Sequence, residues 1–136
     1  MKKLLLLLFL FVFPVFLIAK DKPFTSDLDG LEITYTYSEG GSYNLKYTSK
    51  GVMYRYLSGD APDEWWGPFP YKAFRTQNGE YFLGWYEKGY GDYITQLVNL
   101  KTMTLYGSGL IVKRDRTIEH FQIAKIEKLV RKPTEK

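Results

Sequence analysis

The stretch Tyr81-Phe-Leu-Gly-Trp-Tyr-Glu-Lys-Gly-Tyr-Gly-Asp-Tyr-Ile-Thr-Gln-Leu-Val-Asn-Leu100 decides the fold class of this chain. Two runs that favour β-strands, 81–87 and 92–100, flank a Lys-Gly-Tyr-Gly connection whose glycines suit a tight turn. The stretch therefore predicts a β-hairpin. Alternation places three large apolar side chains and one carboxylate on the same face of the first strand, in the order Tyr81, Leu83, Trp85 and Glu87. Because burying an unpaired carboxylate is costly, Glu87 is the first candidate site residue.

The same alternation recurs along the rest of the chain, between turns rich in glycine, asparagine and aspartate. It predicts further strands over residues 31–38, 42–47, 52–57, 71–76, 102–112 and 117–128. The segment 58–70 contains three prolines and is predicted to be the longest loop. We therefore predict an all-β fold: an antiparallel up-and-down barrel of about eight strands, which is wide enough to hold one small ligand. A β-sandwich of the same strands is the alternative.

The N-terminus has the pattern of a secretory signal peptide. Met-Lys-Lys precedes an uncharged run from Leu4 to Ala19, and the chain then turns polar. We expect cleavage after Ala19 and a secreted or periplasmic protein with no stable membrane insertion; an uncleaved anchor is the alternative. The predicted organisation is a signal peptide at 1–19, a polar leader at 20–29, one barrel domain at 30–130 and a solvated tail at 131–136.

Composition excludes several classes of function. The chain has no cysteine and one histidine, so thiol chemistry, disulfides and the usual metal-ligand sets are not expected. The formal net charge of +4 includes Lys2 and Lys3, and the C-terminal tail mixes both signs, which argues against nucleic-acid binding. No glycine-rich phosphate loop precedes a helix, so no cofactor is predicted. His120 is assigned a structural role because no nucleophile motif accompanies it.

Polar side chains on strand faces that are otherwise apolar form the candidate site. Tyr35, Tyr37, Arg55 and Glu87 rank first, and Tyr43, Arg75 and Asp92 rank second. An arginine and a glutamate that meet inside a barrel would neutralise each other, either as a structural ion pair or as ligand contacts. For the strand over 52–57 the sequence does not decide which face points inward. Either face can do so: Val52, Tyr54 and Tyr56, or Met53, Arg55 and Leu57.

Several short motifs resemble the calycin-type barrels of the phenolic acid decarboxylases, and are similar also to the short MoaF-like domains. They are Thr34-Tyr35-Thr36-Tyr37, Tyr43, Tyr54-Arg55, residues 81–87, Gly91-Asp92 and Leu97-Val98-Asn99-Leu100, and they span about residues 31–112. The resemblance implies a lipocalin-like (calycin) fold in which Glu87 donates a proton to the alkene of a hydroxycinnamic acid. Tyr35, Tyr37 and Arg55 would engage the two ends of the substrate, with no cofactor and with Arg55 pointing inward.

Three functions follow as expectations. The first is an exported, MoaF-like barrel that binds a small aromatic or anionic molecule through Tyr35, Tyr37, Tyr43, Arg55, Arg75, Trp85 and Glu87. The second is a cofactor-independent decarboxylase of phenolic acids, with Glu87, Arg55, Tyr35 and Tyr37 as its catalytic residues. The third is a module that docks on another envelope protein through Trp65, Trp66 and Phe69 of the predicted loop.

Overall fold

The computed structural model describes residues 23–59 and 61–133, and this part of the chain contains nine β-strands and no helix. The strands are β1 (Leu31–Tyr37), β2 (Ser42–Thr48), β3 (Gly51–Tyr56), β4 (Trp65–Phe69), β5 (Tyr71–Arg75), β6 (Tyr81–Glu87), β7 (Asp92–Asn99), β8 (Thr104–Val112) and β9 (Thr117–Arg131). The predicted signal peptide and the start of the leader lie outside the described residues, as do Asp60 and the end of the tail.

The nine strands form one antiparallel sheet in the order β4-β3-β2-β1-β9-β8-β7-β6-β5. Strands that follow one another in the chain are paired, except β4 and β5, and β1 pairs with β9. The sheet curls into a nearly closed barrel, which confirms the all-β, up-and-down prediction and excludes the β-sandwich. We call the end where β1 and β6 begin the lower end, and the end where they finish the upper end.

The ninth strand corrects one prediction, since β4 lies within the segment predicted to be a loop. Trp65–Phe69 pairs with β3 alone, at one end of the sheet. Glycine and proline are tolerated there because one side of the strand has no neighbour to pair with. Because only Pro70 separates β4 from β5, the two strands occupy roughly the place of a single barrel strand.

The gap that remains between β4 and β6 is covered by aromatic side chains. Tyr90, in the turn after β6, packs its ring against Trp66 and Phe69, with centroid distances of 5.1 and 6.3 Å. Ring contacts of this kind stabilise the closure by burying apolar area instead of by pairing backbone groups. The upper half of the barrel is therefore enclosed on this side as well.

The lower half of the barrel is a packed apolar core. Its buried side chains include Leu31, Ile33, Leu45, Val52, Leu83, Val98, Leu105, Ala124 and Ile126. Leu28, which lies in the predicted polar leader, is 0% exposed and packs into the same core. The backbone N–H of Gly30 donates to the carbonyl of Tyr47 and holds this segment across the lower end. The interior is thus filled below, which leaves the upper half as the place for a site.

Candidate functional site

The upper half of the barrel contains a cavity of about 210 Å³ that opens to solvent, which we call the tyrosine cavity. Its aromatic lining residues are Tyr35, Tyr37, Tyr43, Tyr54, Tyr56 and Trp85. Its other lining residues are Glu87, Asp92, Ile94, Gln96, Ile111, Lys113 and His120. A larger depression of about 530 Å³ lies outside the sheet beside Phe121, which is 80% exposed. We take the interior cavity as the candidate site because it lies inside the barrel and is lined by a buried ionisable group, Glu87.

Glu87 ends β6 with its carboxyl group inside the cavity, and the residue is 2% exposed. The Tyr54 hydroxyl donates to Glu87 Oε2 at 2.9 Å, and the Trp85 Nε1–H donates to Oε1 at 3.0 Å. Burial raises the pKa of Glu87, the two hydrogen bonds oppose that effect, and the nearby Asp92 adds to it. The site therefore holds an oriented carboxyl group whose pKa lies above its ordinary value.

Tyrosine rings form one continuous wall of the cavity. Tyr43 stacks on Tyr35 with a centroid distance of 5.4 Å and contacts Tyr56 at 5.0 Å, while Tyr37 meets Tyr35 edge to face. Burial raises the pKa of Tyr35 well above its ordinary value, and it raises the pKa of Tyr43 to about 12. The hydroxyls are therefore neutral at physiological pH, where each can donate or accept a hydrogen bond.

Gln96 links this wall to the packed core below it. The residue is 1% exposed; its Oε1 accepts a hydrogen bond from the Tyr47 hydroxyl at 3.2 Å, and its Nε2 donates to the Tyr35 hydroxyl at 3.4 Å. On β8, a Cβ atom at Gly107 would collide with the hydroxyl of Tyr37. Glycine at this position therefore makes room for the Tyr37 ring.

The predicted inward position of Arg55 is wrong. Strand β3 points Val52, Tyr54 and Tyr56 into the barrel, so Arg55 points outward. Its guanidinium pairs with Asp63 at 3.2 Å and lies 5.0 Å from the centroid of the Trp65 ring. Because successive strand residues face opposite sides, the face that turns Tyr54 and Tyr56 into the cavity necessarily places the arginine outside. The predicted pairing of Arg55 with Glu87 does not form.

Arg75 also lies outside the cavity, where its guanidinium pairs with Asp27 at 3.7 Å. The structure brings the remaining predicted ligand-binding residues together around the cavity: Tyr35, Tyr37, Tyr43, Trp85 and Glu87, with the second-rank Asp92 beside them. Whether these residues bind a ligand stays a prediction.

Sequence reasoning missed several lining residues. Tyr54 and Tyr56 belong to one of the two faces that periodicity offered for β3, so that signal was present but undecided. Gln96 and Lys113 carried no signal beyond their places on or beside predicted strands. His120, which was assigned a structural role, lines the cavity with its ring 4.6 Å from that of Tyr37. Burial lowers the pKa of His120, so its imidazole is neutral at physiological pH.

The aromatic residues of β4 do not form a projecting loop. Phe69 is buried in the core, Trp66 packs on Tyr90, and the Trp65 ring lies beneath the Lys46 ammonium at 3.8 Å. The side chains that suggested an interaction module are therefore largely occupied by contacts within the barrel.

Comparisons with known proteins add no family assignment. No protein-family model matches this chain, and no curated protein matches it significantly. The resemblance to MoaF-like domains and phenolic acid decarboxylases therefore stays a prediction. Within residues 23–59 and 61–133, no helix has the length and apolar character to cross a membrane. The same residues contain no cluster of histidine and carboxylate side chains suited to a metal ion.

Proposed function

We propose that this protein is an exported, lipocalin-like barrel that binds a small aromatic molecule in the tyrosine cavity. The observation that carries the proposal is the buried carboxyl group of Glu87 inside a cavity lined by six aromatic residues. Stacking and edge contacts with such rings favour an aromatic ligand, and the hydroxyls and carboxyl group would orient it. The anionic ligand suggested by the sequence loses support, because Arg55 and Arg75 lie outside the cavity.

Size restricts the ligand further. Drug-sized molecules occupy pockets of roughly 300–1,000 Å³, whereas the tyrosine cavity measures about 210 Å³. A single phenyl or phenol ring with a short substituent suits this volume better than a fused-ring compound or a long acyl chain.

A pair of neighbouring variants on β8 tests where the ligand binds. Ile111 lines the cavity, whereas the side chain of Val112 points to the opposite face of the sheet. Ile111→Trp should abolish calorimetric binding of 4-propylphenol, while Val112→Trp should leave it unchanged. His120 is the only histidine in the chain, so its imidazole NMR signal should shift on binding. Equal binding by both variants, with no shift of that signal, would reject the proposal.

A cofactor-independent phenolic acid decarboxylase is the second candidate: the environment of Glu87 favours it, although Arg55, which was expected to engage the substrate, lies outside the cavity. A carboxylic acid with a raised pKa, held by Tyr54 and Trp85, is suited to donate a proton to a substrate alkene. Incubation with p-coumaric acid tests it: formation of 4-vinylphenol that Glu87→Gln abolishes would establish the enzyme. Binding of p-coumarate without turnover would leave the carrier function.

Export is a separate part of the proposal and rests on the sequence of residues 1–19. Mass spectrometry of the protein recovered from the cells that produce it should give a mature chain that begins at Lys20. A full-length mass would support the uncleaved anchor instead.

A further inference from the structure

The tyrosine cavity is lined by two carboxyl groups, and neither is paired with a basic side chain. Glu87 and Asp92 are register partners on β6 and β7, so two carboxyl groups enter the cavity from adjacent positions. His120 is neutral at physiological pH, and Lys113, the remaining basic lining residue, is solvent exposed. Neither carboxyl group forms a salt bridge with any residue of the described ranges, and Asp92 Oδ1 accepts a hydrogen bond from the backbone N–H of Val112 at 2.7 Å. The cavity therefore contains two neighbouring carboxyl groups that the barrel itself does not pair with a cation.

Glu87 retains hydrogen-bonding capacity for a ligand. An ionised carboxylate offers about four acceptor positions, and Glu87 uses one on each oxygen for the neutral donors Tyr54 and Trp85. Neither donor carries a charge, so the cost of burying the carboxylate is only partly offset. A cationic donor in the cavity would supply both the missing hydrogen bonds and the opposite charge.

The aromatic wall suits the same kind of ligand. Tyr54 meets Tyr56 at an interplanar angle of 85°, and Tyr37 meets Tyr43 at 78°, so the rings border the cavity in different orientations. The faces of aromatic rings attract cations within about 6 Å. A box of tyrosines beside a carboxylate is thus an arrangement that binds organic ammonium groups.

We infer that the ligand of the tyrosine cavity is a small organic ammonium cation, such as an arylalkylamine, whose charged nitrogen lies against Glu87 and Asp92. This inference rests on the proposed function, which it deepens by assigning the charge of the ligand. The ring of the ligand would pack among the tyrosines, and its nitrogen would replace the countercharge that Arg55 was expected to supply.

Three phenols that differ in one terminal group provide the test. Tyramine ends in an ammonium group, 4-propylphenol has a methyl group at that position, and 3-(4-hydroxyphenyl)propanoate carries a carboxylate. Calorimetry at pH 8 should show tyramine binding at least about tenfold more tightly than 4-propylphenol. The propanoate should bind most weakly, because its charge repels Glu87 and Asp92.

Variants separate the charge effect from the shape of the cavity. Glu87→Gln and Asp92→Asn should each weaken tyramine binding by a larger factor than they change 4-propylphenol binding. Glu119→Gln, which removes an exposed carboxylate on β9, should alter neither. Two variants are included so that the test survives if one of them fails to fold, which circular dichroism would reveal.

The outcomes distinguish this inference from the proposed function. Equal or tighter binding of 4-propylphenol or the propanoate relative to tyramine overturns the cationic ligand but leaves an aromatic-binding barrel. Tyramine affinity that neither Glu87→Gln nor Asp92→Asn changes also overturns it. If none of the three phenols binds, both the inference and the proposed function fail for ligands of this class.

Discussion

Replacing Tyr54 with phenylalanine should destabilise the barrel by an amount that increases with pH. The substitution removes only the hydroxyl that donates to Glu87 Oε2 at 2.9 Å. It keeps the ring that packs against Tyr56 and Phe69, with centroid distances of 5.9 and 6.3 Å. The measured change in free energy of unfolding therefore reports the loss of one hydrogen bond to the carboxyl group. It also includes the effect of that loss on the ionisation of Glu87.

The loss of stability caused by Tyr54→Phe depends on the ionisation state of Glu87. A hydrogen bond to a charged group contributes about 1.5–3 kcal/mol, and a neutral one about 0.5–1.5 kcal/mol. Burial raises the pKa of Glu87, so the native state holds this proton more tightly than the unfolded chain does. The wild-type protein therefore loses stability as pH rises from the ordinary value of 4.5 through the folded pKa. Tyr54→Phe should lose about 1 kcal/mol more over that interval, because the ionised carboxylate lacks a donor.

Urea unfolding at pH 4 and at pH 8 measures this difference, in the wild-type and Glu87→Gln backgrounds. In the Gln background the cost of Tyr54→Phe should be the same at both pH values, since position 87 no longer ionises. Tyr43→Phe is the matched control, because it removes a hydroxyl that lines the cavity but is not bonded to Glu87. A cost of Tyr54→Phe that is independent of pH in the wild-type background would refute the assigned hydrogen bond.

Leu28→Ala should cost about 2–5 kcal/mol, whereas Phe121→Ala on the exposed face should stay within about 0.5 kcal/mol; equal costs would mean that Leu28 is not part of the core. Gly107→Ala should destabilise by about 1–3 kcal/mol through overpacking against Tyr37, and adding Tyr37→Phe should recover part of that loss; no recovery would contradict the contact. The His120 imidazole should titrate by NMR below its ordinary value of 6.5, and its contribution to stability should be lost as pH falls from 6.5 through the folded pKa. A midpoint at or above 6.5 would mean that the negative charge of Glu39 outweighs the effect of burial on the pKa of His120.

Most strands of the barrel could be read from local pattern. The predicted strands over 81–87 and 92–100 agree with β6 and β7 to within one residue, because alternation and turn glycines are both local signals. β4 could not be predicted from alternation and turn residues. Gly67 and Pro68 mark a loop in any local reading, and only the neighbouring β3 provides the partner that makes the segment a strand.

The candidate site was likewise predictable from the sequence only in part. Tyr35, Tyr37 and Glu87 were predicted correctly to face inward, because each shares a strand face with residues that only a core would bury. Arg55 was not, because β3 has apolar residues on both of its faces. On β9, Phe121 and Ile123 look like core residues but are exposed, while His120 faces the cavity. Which face of a strand lies inside depends on strands that are distant in sequence, so the alternation within one strand cannot predict it.

By itself, the sequence determined that the described chain is built from alternating strands and that a carboxylate ends an apolar stripe, since both follow from residue order within single strands. Only the tertiary structure decided that five tyrosines from three strands share one wall with Glu87, and that the arginines stay outside. The reason is geometric. Each strand has two faces. Which of them points inward in the closed sheet depends on the volume and the hydration of all the side chains that meet in the interior.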